Sequence, residues 1–129
     1  MNRFRFARLV VGAFCGLVSY DLVSRTRGFG CIHNRVARLC VARGPVEPQM
    51  EELVCRAVGV AGCFYWKRVL CLQRSVVTTL SLKKRGVHAK LVIGYRRAPF
   101  FSHAWVEVDS RVVNDSAAYK ERLQILCRV

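Results

Sequence analysis

The apolar pattern of this chain changes period once, and that change constrains the fold more than any other feature. Up to Gly86 apolar residues recur at helical spacing, and from Ala89 onward they alternate as in strands. Helices first and strands afterwards predict an α+β architecture: N-terminal helices followed by a small antiparallel sheet. A chain of 129 residues is long enough for one domain with one core. It divides into a helical part, residues 1–64, and residues 65–129, where the strands and the chemically suggestive side chains lie.

The spacing predicts a first helix over residues 4–24, stopped by a Gly28-Phe29-Gly30 turn, and a second over residues 31–42. The second would put Ile32, Val36, Leu39 and Cys40 on one face and Arg35, Arg38 and Arg43 on the other. Gly44-Pro45 ends it, and Pro48 opens a third helix to about Ala61 with Glu51 and Glu52 in its first turn, where the helix dipole favours acids. A fourth begins at or just before Cys71, carries Leu72, Val76 and Leu80 on one stripe, and stops at Gly86 after Lys83, Lys84 and Arg85. Strands are predicted over residues 89–95, 102–107 and 111–114, with a Pro-containing connection over residues 96–101 and a return to helix over residues 116–127.

Near the N-terminus Arg3, Arg5 and Arg8 precede an apolar run, Leu9 to Tyr20, which mimics a signal peptide. No small-x-small cleavage site closes it, and twelve residues fall short of the roughly twenty needed to span a bilayer. A buried helix is therefore the expectation, with membrane contact the minor reading.

Charge narrows the partners. The net charge is +14, and no acid occurs between Glu52 and Glu107. Such a field favours anionic partners: nucleic acid, an acidic membrane face, or an acidic peptide. Seven cysteines at irregular spacing include no C-x-x-C pair, which leaves neither a zinc ribbon nor a thioredoxin motif. Reduced thiols in a cytoplasmic protein are expected, with no metal and no cofactor. The lone Cys31-x-His33 pair reads as chance.

Three residues stand out chemically. Cys71 falls at a predicted helix N-terminus, where unpaired N–H groups, the dipole and the cations Lys67, Arg68 and Arg74 favour a thiolate. Alone it is one cysteine among seven. His103 opens the run His-Ala-Trp-Val-Glu-Val, whose alternation puts His103, Trp105 and Glu107 opposite the apolar core face of Ala104, Val106 and Val108. A surface histidine is the bland reading; the wall of a site is the other. Asp115 is its candidate partner through strand parity. A three-residue hairpin loop, Val108 to Ser110, sets His103 directly across from Asp115, whereas a two-residue Asp109-Ser110 turn leaves them on opposite faces. A thiol, an imidazole and a carboxylate are the parts of a thiol protease or acyl-transfer enzyme. Trp66, Gln73 and Trp105 are lesser candidates for an oxyanion or substrate pocket, the two tryptophans more readily read as packing.

From Tyr65 to Asp115 the chain carries, in order, Cys-Leu-x-Arg-Ser, Arg-Gly-Val, Leu-Val-Ile-Gly, Pro-Phe, His-Ala-Trp-Val-Glu-Val and Asn-Asp. This stretch resembles the transglutaminase-like core of lasso-peptide maturation B proteins. The resemblance implies a papain/transglutaminase-like cysteine protease core that removes the leader from a ribosomally made lasso precursor peptide. Cys71 would be the nucleophile, His103 the base and Asp115 the orienting acid. A separate lasso cyclase would then use the freed amine. The helical reading of residues 1–64 leaves no room for a fused leader-recognition domain, so the resemblance is to the split form, with a separate leader-recognition protein and no obligate nucleic acid. Ser110 departs from the glycine usual in that hairpin turn. Two other readings stay open: an acyltransferase of the transglutaminase kind, and a non-catalytic basic adaptor for RNA or acidic lipid.

Overall fold

In the computed structural model, which describes residues 2–129, four helices precede the first strand. Helix α1 spans Arg3–Thr26 and starts at Asn2, whose side chain accepts from the Phe4 N–H. At 24 residues it is longer than the apolar run inside it, and by length and composition it could cross a membrane. Here it buries Ala13, Leu17 and Asp21 against α3 (Met50–Phe64) and α4 (Cys71–Lys83). Helix α2 spans Phe29–Arg38, shorter than the predicted residues 31–42 and beginning earlier. Only Gly28, at φ 79°, breaks the chain before it; Phe29 and Gly30 already belong to α2. Its last turn is taken over by tertiary bonds. Lys83 Nζ donates to the Val36 carbonyl at 2.6 Å, and the Ala42 N–H donates to the Lys83 carbonyl at 2.9 Å, so Leu39 and Cys40 leave the helix. Lys83 is thus a buried tie between α4 and α2, with burial pushing its pKa down.

Helix α4 is the hub. Ser75, Val76, Val77, Thr78 and Thr79 are all buried, because the helix packs on α1, α3 and the sheet together. That packing offsets the modest helix propensity of its β-branched run. The hydroxyls of Thr78 and Thr79 bond back to the Arg74 and Ser75 carbonyls at 2.8 Å. Gly86, at φ 87°, ends the turn in the left-handed conformation.

The sheet is antiparallel with order β3-β2-β1-β4. Strands β1 (Ala89–Arg97) and β2 (Phe100–Val108) are longer than predicted, since Ala98-Pro99 alone turns the chain. β3 is only Arg111–Val112. The final segment is not one helix. It forms a short α5 (Ala118–Arg122) and then β4 (Gln124–Arg128), which pairs with the outer edge of β1. Five residues are too few to declare a period, so an open edge elsewhere in the chain decided this strand.

The C-terminal segment also corrects the expected two-faced sheet. One face carries Leu91, Ala104 and Val106 toward the helices. The other, expected to be the less apolar, holds a second core of Val92, Trp105 and Leu123, closed by Tyr119 and Val112. Trp105 is fully buried, worth on the order of 4–6 kcal/mol of transfer free energy for an aromatic of that size. Gly94, paired with His103 across β1 and β2, makes room for it: a Cβ there would lie 2.7 Å from Trp105 Cη2.

Candidate active site

Cys71 is the first residue of α4. The residue before it, Leu70, is extended and offers no side-chain cap, and the first helical bond runs from the Arg74 N–H to the Leu70 carbonyl. The amides of Cys71, Leu72 and Gln73 therefore have no helical acceptor and point out of the helix end. An uncapped N-terminus is suited to an anion, whether a thiolate or an oxyanion. The thiol is half-buried against a cluster that includes Ile32, Val76, Leu91 and Ala104. One turn further on, Ser75 Oγ donates to the Ala104 carbonyl at 3.1 Å and Arg74 Nη2 donates to Asp115 Oδ2 at 3.3 Å. The first turn of α4 thus abuts both Ala104, the neighbour of His103, and Asp115.

His103 and Asp115 meet directly, with Nε2 2.7 Å from Oδ2. The hairpin turn nevertheless has two residues, not three. Val108 pairs with Arg111, and Asp109 and Ser110 sit at φ 50° and 64°. Strand parity would then have separated the pair, but regular pairing ends too soon for parity to reach it. After the Val113 N–H donates to the Val106 carbonyl, the Val106 N–H is taken by Asn114 Oδ1 at 2.8 Å. The side chain replaces a backbone acceptor, the chain bends, and the Ser116 N–H closes the bend on Asp115 Oδ1 at 2.8 Å. Asn114 Nδ2 also donates to Ser75 Oγ at 3.1 Å, fastening the bend to α4. Asn114 is therefore what turns Asp115 toward His103. The signal was an Asn directly after a strand, which reads as a backbone mimic.

An ionised carboxylate only accepts, so Nε2 of His103 carries the proton and the neutral ring keeps Nδ1 free as acceptor. Tyr119 stacks on the imidazole with ring centroids 4.0 Å apart, and Phe101 and Trp105 lie beyond at 6.1 and 6.4 Å. The His103 side chain is 11% exposed, so the pair is largely screened from water. Arg74 and His103 share one carboxylate oxygen, and Arg74 Nε is buried without a partner.

The side chains of the lesser candidates have other partners. Trp66 is exposed and stacked on Tyr65. Gln73 is buried and donates to the Leu17 carbonyl of α1 at 3.0 Å. Trp105 donates its indole N–H to Glu107 at 2.8 Å. The donors of Gln73 and Trp105 are already committed. Tyr20, on α1, was not singled out by the sequence; it packs against the same cluster as Cys71. Burial, then Asp21, then Cys71 push its phenol pKa up. Asp21 accepts from Tyr65 Oη and from Lys67 Nζ, the latter at 2.7 Å, tying the segment before Cys71 to α1. Burial raises the Asp21 pKa, but the bonds from Lys67 and Tyr65 more than offset this and leave it below the usual carboxylate value. Among the described residues no three His, Cys, Asp or Glu side chains converge to hold a metal ion.

A family model described as the transglutaminase-like superfamily matches residues 16–128. Among curated proteins, the microcin J25-processing protein McjB of Escherichia coli is 39% identical over 59 residues, 46% of this chain. That match covers 28% of McjB, so the chain spans less than a third of this relative. No solved structure gives a significant match.

Proposed function

Because the chain belongs to the transglutaminase-like superfamily, we propose that it is a cysteine peptidase that cleaves the leader from a ribosomally made lasso-peptide precursor. The observation that carries this reading is the His103–Asp115 hydrogen bond, set against the uncapped end of α4 where Cys71 lies. Similarity to a protein named for processing microcin J25 supports a peptide precursor as substrate.

In the proposed reaction the Cys71 thiol passes its proton to His103 Nδ1, and the thiolate attacks the scissile carbonyl while amides at the head of α4 receive the oxyanion. The intermediate collapses to a thioester, and the His103 imidazolium gives its Nδ1 proton to the leaving amine, the new N-terminus of the core peptide. Water, deprotonated by His103 Nδ1, then hydrolyses the thioester and returns the thiol. Asp115 holds Nε2–H throughout and stabilises the imidazolium. A cyclase would consume the freed amine, and a separate leader-binding protein would deliver the precursor. Both partners, and a cytoplasmic location, belong to this proposal.

Mass spectrometry of a candidate precursor incubated with the protein tests it. Hydrolysis yields two fragments whose masses sum to the precursor plus one water, and Cys71→Ala yields none. A heavier amine adduct in place of fragments would instead establish acyl transfer. Cleavage unchanged in Cys71→Ala would overturn the reading.

A further inference from the structure

Helices α1 and α4 run antiparallel. Gln73 bonds to the Leu17 carbonyl, while Ser81 and Arg85 share a small hollow with Leu9 and Ala13, so residue numbers fall along one helix as they rise along the other. Beside them α2 completes a groove of about 260 Å³. Val23, Ile32, Val76 and Leu80 line its apolar part, and Arg35 and Lys84 are the exposed cations at its rim. Arg27 and Arg38 stand beside Arg35 around an adjoining hollow. None of these four cations is in an ion pair among the described residues, and neither hollow is lined by an acid. Tyr20 also lines the groove, and it packs against the same cluster as Cys71.

We infer that this groove is an exosite for the peptide substrate, holding a segment with apolar side chains flanked by acids. This rests on the peptidase reading and adds where else the substrate is held. The apolar lining accepts side chains, not a phosphate backbone, and the unpaired rim cations select carboxylates over lysines. Continuity with Tyr20 makes the occupant part of the molecule being cleaved. From Cys71 to Lys84 α4 rises about 20 Å, which an extended peptide covers in about six residues. The acids of the substrate are therefore placed up to about six residues from the scissile bond.

The test uses full-length protein carrying Cys71→Ala, so that binding is read apart from cleavage. The probe is a fluorescein-labelled peptide of alternating Leu and Glu, followed by anisotropy, with the Leu-Lys peptide and an oligouridylate as controls. Gly12 lines the groove, and a Cβ there meets nothing within 4 Å, so Gly12→Phe fills the space without pressing on the core. The Leu-Glu probe is expected to bind more tightly than the Leu-Lys peptide, and about tenfold more weakly to Gly12→Phe and to Arg35→Glu/Lys84→Glu. Equal binding of both peptides, probe affinity unchanged in both variants, or oligouridylate displacing the probe would each overturn the exosite. Intact groove binding alongside a failure of the protein with Cys71 intact to cleave any precursor would sink the peptidase reading and leave the groove standing.

Discussion

Replacing Asp115 by Asn removes one charge and leaves the bend intact, because an amide Oδ1 still accepts from the Ser116 N–H. The effect should therefore fall on chemistry and not on folding. When His103 becomes an imidazolium it loses a counter-charge 2.7 Å away, and the Arg74 guanidinium, now without its anion, stays beside it. Two unit charges about 4 Å apart interact by about 4 kcal/mol at an effective dielectric of about 20. His103 and Asp115 are 11% and 19% exposed, so little of this is lost to water. About 4 kcal/mol is close to a thousandfold in rate. An amide N–H facing Nε2 would also move the ring proton to Nδ1 and remove the base, pushing the loss toward about 10⁴-fold, as in serine-protease triads. The assay is kcat/KM for precursor cleavage, with a thermal melt as control. Adding Arg74→Gln to Asp115→Asn should recover part of the loss by removing the stranded cation. Activity of Asp115→Asn within tenfold of the unmodified protein, at unchanged Tm, would refute the reasoning.

Gly94→Ala forces a Cβ to within 2.7 Å of the Trp105 ring and 2.9 Å of Leu123, a rigid site on both sides. Urea unfolding should show a loss of about 1–3 kcal/mol. Asp109→Asn with Ser110→Gly supplies the residues a two-residue turn with left-handed φ at both positions prefers, and should stabilise by about 1 kcal/mol in the same assay. Burial, then the Asp21 carboxylate, raise the Tyr65 pKa from 10.0 to about 12. The folded state thus holds this proton longer than the unfolded one. Its contribution is complete below pH 10, is lost as pH rises toward 12, and Tyr65→Phe should flatten that part of the stability–pH curve.

What could be read from the chain and what could not separate along physical lines. The α4 boundaries were legible because local signals agree there: helical spacing from Cys71, basic residues in the last turn, and Gly86 in the conformation glycine favours. β4 was not legible, since Gln124–Arg128 becomes a strand only by pairing with β1, a contact 29 to 36 residues distant in sequence. The helical end of α2 failed for a similar reason, because Lys83 comes from another helix to bond Val36. The His103–Asp115 pair is the most instructive case. Parity reasoning named the carboxylate that the structure places beside His103, but through a loop length that does not occur. The agent is the Asn114 side chain, which ends the ladder and frees Asp115 from parity. Alternation also misjudged the His103 face, because α5 and β4, not visible as a cover in sequence, bury Trp105 and stack Tyr119 on the imidazole.

The most direct test of Cys71 as nucleophile needs no substrate. All seven cysteines are free, and Cys15, Cys40 and Cys63 are exposed while Cys71 is only partly so. Exposure alone therefore orders the other three ahead of it. Brief iodoacetamide treatment of the native protein at neutral pH, with each thiol resolved by peptide mass spectrometry, should find Cys71 alkylated first, and His103→Ala should abolish that lead. Alkylation in the order of exposure, with Cys71 behind Cys15, Cys40 and Cys63 and indifferent to His103→Ala, would contradict it.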